Sequence, residues 1–178
     1  SDVCSTDLML KAYLLAPIEE QDARLQANQI WKQQVLELIS WGGEHEPERD
    51  ANCIKAWLRA QYAESIRERK AGSVDKDWEL IGSVFHRWVR ENNSRLGLGK
   101  AQENQNMMAV SFPFFAKAYL RILNSSKHYT PKLRAVYYNA HNDFTWQNTV
   151  LLASLIETDD DETVDRKLAV TATYLDIW

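Results

Sequence analysis

No stretch of this chain approaches the roughly 20 consecutive apolar residues of a membrane-spanning helix, and no secretory leader pattern opens it. Cysteine is nearly missing. Cys4 and Cys53 form no Cys-x-x-Cys or other metal-ligand spacing, so two reduced, partly buried thiols are expected rather than a disulfide framework. Glycine occurs only six times, each time at an apparent break. There is no Gly-x-x-x-x-Gly-Lys-Ser/Thr loop, no Gly-x-Gly-x-x-Gly after a strand, no Gly-x-Ser-x-Gly elbow and no His-Glu-x-x-His pair. The usual nucleotide cradles, serine-hydrolase turns and zinc-protease helices are thereby excluded, and no cofactor is expected in this chain. Cationic excess is missing too: the net charge of −4 argues against a polybasic nucleic-acid arm or a membrane-surface protein. The expectation is a soluble, cytoplasmic chain.

What is present is helical period over almost the whole length. The 178 residues, with seven Trp and seven Tyr, suffice for a single domain spanning 1–178 with one real core. A first helix is expected from Ser5 or Thr6 to Pro17. A second, Asp22 to Trp41, sets Ala27, Ile30, Trp31, Val35, Leu38 and Ile39 on one face, before Gly42-Gly43 and a solvated loop from Glu44 to Arg49. Asp50 caps a third with Ile54, Trp57, Leu58, Tyr62 and Ile66 inward, ended by Gly72. Ser73 or Asp75 starts a fourth carrying Trp78, Ile81, Phe85, Trp88 and Val89.

Leu96 to Gly99 and the polar run Gln102 to Asn106 read as a long connection. Helices then begin near Ser111, with Pro113 in the first turn, and at Thr130-Pro131. Thr145 is placed as the cap of a helix over Trp146 to Ile156, whose Val150, Leu151, Leu152, Leu155 and Ile156 mark a mostly buried element. Strand-type alternation is nowhere convincing. The expected fold is all-α, an irregular bundle of about seven or eight helices. The helix near 146–156 is central, and Trp31, Trp57, Trp78, Phe85 and Trp88 anchor the core.

The chemistry-bearing residues mostly favour plain structural readings. His86 reads as a half-exposed helix residue, His141-Asn142-Asp143 as a turn, and His45 with Glu44, Glu46 and Glu48 as a charged loop. Asp159-Asp160-Asp161-Glu162 reads as a helix start that compensates the backbone dipole. No catalytic, cofactor or metal residue is assigned. The basic residues stand out more. Lys55, Arg59, Arg67 and Lys70 fall along one flank of the expected third helix, and Arg87 and Arg90 project from the fourth. Together they form a candidate ridge for DNA phosphates. The competing reading is a solvated face with internal pairs such as Arg87 to Glu91.

Several stretches carry a family likeness: Ser5 to Ala16, Cys53 to Ala63 with Ile66 to Lys70, Ile81 to Arg90, Val136-Tyr137-Tyr138-Asn139-Ala140, and Tyr174 to Trp178. They resemble the helical region of the GmrSD-type family of modification-dependent restriction endonucleases of bacterial phage defence. That resemblance implies an N-terminal ParB/sulfiredoxin-like nucleotidase domain and a C-terminal His-Asn-His-type nuclease domain on either side of the helical region. The Asp-Gly-Gln-Gln-Arg motif of the first and a full motif of the second are both missing here. The chain, which ends inside a helical pattern with no stop signal, is therefore expected to be one domain of a longer protein. The implied role is a non-catalytic helical domain that couples the two flanking domains and touches DNA, the parent being a nucleotide-dependent endonuclease. The alternative is a helical protein–protein interaction module.

Overall fold

The computed structural model describes residues 6–176. All of its regular structure is helical, with no strand among the described residues. The helices are α1 Thr6–Leu15, α2 Gln21–Ser40, α3 Arg49–Tyr62, α4 Asp77–Glu91, α5 Ala101–Asn106, α6 Phe112–Lys127, α7 Arg134–His141, α8 Gln147–Ala153 and α9 Asp161–Asp176. A π-turn, Met107–Ser111, joins α5 to α6 without a break. Counted as one rod, 101–127 brings the described bundle to eight, as the periodicity implies. Ser5, Cys4 and the closing Ile177-Trp178 lie outside the described residues.

The core forms where aromatic faces of three helices meet. Trp31 of α2 stacks on Phe112 at 4.2 Å between centroids, and Trp57 of α3 packs on Phe112 at 5.9 Å and on Phe115 at 5.7 Å. Trp31, Trp57, Phe85 and Trp88 are all buried as expected. Trp78 is only half-buried, because it sits at the α4 start against the exposed Trp146. The helix expected at 146–156 runs Gln147–Ala153 and packs on α3, α6 and α9. Leu151, Leu152 and Leu155 are wholly buried, while Trp146 and Ile156 at its ends face solvent. Thr145 does not cap it; the N-cap position is Trp146.

Where the structure departs from the sequence pattern, a polar side chain is the cause. The third helix stops at Tyr62 instead of continuing to Gly72. Beyond it, the Glu64 N–H donates to Asp77 at 3.0 Å and the Arg67 N–H to Glu79 at 3.0 Å. Those two α4 carboxylates take the backbone donors that a further helical turn would use, and Ile66 ends up exposed. At the other end, α3 starts at Arg49 rather than behind an Asp50 cap. Arg49 is buried rather than solvated, donating to the Leu38 carbonyl at 3.0 Å and the Trp41 carbonyl at 2.9 Å. It thereby closes the C-terminal end of α2.

The polar run at 102–106 is helical for a similar reason. Asn104 is fully buried, accepting from the Gly99 N–H and donating to the Leu14 carbonyl of α1. Glu103 accepts the Lys100 N–H, and so caps the first turn of α5. The wide π-turn then lets Met107, Met108, Ser111 and Phe112 all face inward.

Candidate functional site

The six cations proposed for DNA do not share one helix flank. Lys55 and Arg59 lie on α3, Arg67 and Lys70 in the irregular segment after it, and Arg87 and Arg90 on α4. Arg67 is paired with Asp75 at 2.8 Å, and Arg87 with Glu91 at 2.8 Å, the pairing expected from their spacing. Lys55, Lys70 and Arg90 make no ion pair with a described residue.

Arg59 has a different employment. Its Nε and a terminal nitrogen both donate to the Trp78 carbonyl, at 3.0 and 2.8 Å, and its guanidinium lies 4.5 Å from the centroid of the Trp78 ring. Desolvation lowers its pKa, against the opposing influence of Glu79. This clasp also explains Gly82, which is no break but an interior residue of α4. A Cβ there would lie 2.1 Å from the Arg59 guanidinium. The Gly82-Ser83 pair, with the Ser83 hydroxyl donating to the Glu79 carbonyl at 3.0 Å, precedes the kink at Val84 (φ −142°, ψ 48°).

A sign reversal follows. Gly82→Ala should destabilise the wild type by about 1 kcal/mol, because losing the forked bond outweighs the helix propensity gained. In an Arg59→Ala background the same change should stabilise by about 1 kcal/mol. Urea denaturation of the four proteins measures the cycle, and equal effects in both backgrounds would refute the clasp.

The interior polar groups act in the same manner. Asp77 is almost buried. Its two oxygens accept from Trp88 Nε1 at 3.0 Å, from the Glu64 N–H at 3.0 Å and from Arg95 at 3.1 Å. Burial alone would raise its pKa, but the hydrogen bonds from Trp88, Glu64 and Arg95 together hold it below the ordinary carboxylate value. Buried Asn139 donates to the Ala172 carbonyl of α9, and buried Gln147 to the Val136 carbonyl of α7. Each of these side chains ties one element to the backbone of another.

The remaining candidates keep their structural readings. Burial and then Arg90 and Arg87 lower the pKa of His86, and its buried Nδ1 has no hydrogen-bond partner among the described residues. His141 closes α7, with Nδ1 2.8 Å from the Tyr137 carbonyl. In the charged loop Glu44 reaches Lys127 and Glu46 pairs with Arg49, and no trio of His, Cys, Asp or Glu among the described residues is placed to hold a metal ion. Asp160 accepts the Thr163 N–H at 2.8 Å at the start of α9, while Asp161 engages Lys117 and Arg121 of α6. Cys53 is a free, buried thiol, and burial pushes its pKa up, with Asp50 adding to the effect.

One surface escaped the sequence reading. From Asn104 to Asn142 the chain carries no acidic residue, yet holds Lys117, Arg121, Lys127, Lys132 and Arg134. Within that run Arg134, Tyr137, Tyr138 and His141 occupy positions i, i+3, i+4 and i+7 of α7, opposite the buried Ala135, Val136 and Asn139. The missed signal is this local charge bias, hidden within an acidic whole. Compared with protein-family models, with curated proteins and with solved structures, the chain has no match.

Proposed function

We propose that this chain is a non-catalytic helical scaffold domain of a GmrSD-like restriction and phage-defence protein. In this reading it couples a nucleotidase domain to a nuclease domain. The observation that carries it is the use made of the interior polar groups. Arg49, Asp77, Asn104, Asn139 and Gln147 each hold the backbone of a neighbouring segment, so the interior chemistry is spent on fixing helices relative to one another. Satisfied ties of this kind rigidify the body and fix one arrangement of its helices, which suits a domain that transmits position. The family-like stretches within the described residues fall largely on α1, α3, α4 and α7, and Asn139 is the tying side chain that lies within one of them.

DNA contact within this role falls to Lys55, Lys70 and Arg90, whereas Arg59 serves the fold. Mixing the chain with a ParB/sulfiredoxin-like nucleotidase domain of a family member tests the coupling. The expected result is association together with a changed rate of nucleotide hydrolysis. Independence of the two proteins, or nuclease or nucleotidase turnover by this chain alone, would overturn the reading.

A further inference from the structure

The α7 face carries an inference that goes beyond that proposal and rests on its own ring and charge geometry, not on the family reading. Four aromatic groups gather on it. Tyr137 lies edge-on to Tyr138 at 5.7 Å and to Tyr129 at 5.9 Å, Tyr129 edge-on to Tyr138 at 6.3 Å, and Tyr137 over the His141 ring at 4.1 Å. Rings braced at such angles hold one another in place. Tyr129 is 52% and Tyr138 49% exposed, so about half of each residue already meets solvent.

The chain segment that forms this face supplies cations and no carboxylate, the acidic neighbour being Asp165 of α9. Arg134 starts the stripe and makes no ion pair with a described residue, and His128 and Lys132 flank it. Lys132 reaches Asp165 at 3.3 Å, but its side chain is 76% exposed and such a pair holds it weakly. Asp165 also pairs with Arg121 at 3.1 Å, so it stays neutralised if Lys132 turns away. No carboxylate belongs to the chain from Asn104 to Asn142.

Open tyrosine faces interleaved with cations are the means by which proteins hold unpaired bases: rings stack on bases while cations follow the phosphates. We propose that the outward face of α7, with Tyr129, binds single-stranded nucleic acid. Tyr138 and Tyr129 stack on bases, and Arg134 and Lys132 contact the backbone. A duplex keeps its bases stacked on one another and offers this face only phosphates. An acidic protein partner would use the cations but leave the open ring faces without stacking partners.

Fluorescence anisotropy on the full chain tests this with a labelled oligo(dT), an oligo(U) of the same length and the matching duplex, each across a salt series. Single strands should bind more tightly than the duplex, with affinity falling as salt rises. Tyr138→Ala should weaken binding about tenfold while Tyr138→Phe retains it, and Arg134→Ala should reduce the salt slope by about one. Tighter binding of oligo(U) points to RNA through its 2′-hydroxyls; equal or tighter binding of oligo(dT) points to single-stranded DNA. Either result supports the proposal. Tyr138 is exposed, and an unchanged circular dichroism spectrum would establish that its variants fold. No single-strand binding in low salt, or binding indifferent to Tyr138→Ala, would overturn it. So would self-association through this face in place of oligonucleotide binding.

Discussion

Trp57→Ala should remove about 3–5 kcal/mol of stability. Against the roughly 5–15 kcal/mol that holds a typical domain folded, this brings the protein close to unfolding at ordinary temperature. The reason is position. Trp57 is wholly buried where α3 meets α6, and it touches both Phe112 and Phe115, so truncation opens a cavity between these helices. A second feature makes the prediction sharper. The indole N–H of Trp57 is buried without a hydrogen-bond partner among the described residues, as is that of Trp31. Trp57→Phe removes that unpaired donor while keeping a ring in the stack. Its cost should therefore be only about 1–2 kcal/mol, the lost volume being partly offset by relief of the desolvated N–H. Urea denaturation of both variants provides the comparison. Equal losses for Phe and Ala would mean that the indole is held by something other than ring packing.

The fold class and the core were legible in the sequence because apolar period is a direct record of burial. Trp31, Trp57, Phe85 and Trp88 recur at helical spacing, and the interior they imply is the one that forms. The errors have a common origin. Arg49, Asn104, Gly82 and the residues after Tyr62 were read by type: charged and polar as solvated, glycine as a break, continued period as continued helix. In each case a bond to a distant segment decides the outcome. Arg49 bonds to α2, Asn104 to α1, the Arg59 clasp claims the space at Gly82, and Asp77 and Glu79 take the donors at 64 and 67. Local pattern records none of these partners. The α7 face was missed for the opposite reason. Its residues are local, but the net charge of −4 averages its cations away. Reading charge in windows rather than over the whole chain would have exposed it.

Asp77→Asn should cost about 2–3 kcal/mol, although it keeps the size and shape of the side chain. Three donors converge on the carboxylate: the Trp88 indole, the Glu64 amide and the Arg95 guanidinium. An amide presents one acceptor, and its NH2 group must then face one of those donors. About a third of the Arg95 side chain remains exposed, so its charge stays partly solvated and the loss falls short of that for a fully buried pair. The substitution also loosens the point where the segment after α3, the start of α4 and Arg95 meet, so the cost is felt in all three. The same site should make the protein acid-sensitive. Because the folded-state pKa of Asp77 lies below its ordinary 3.8, its ionised form is favoured by folding. That stabilisation is complete above the unfolded-state value and disappears as pH falls through the lower folded-state value. Denaturation midpoints followed from neutral pH into this acidic window should drop for the wild type, and Asp77→Asn should show a shallower decline from its lower starting point. Parallel pH profiles for the two proteins would assign the acid sensitivity to other carboxylates, Asp159 and Asp160 first, whose hydrogen bonds at the start of α9 also lower their pKa values.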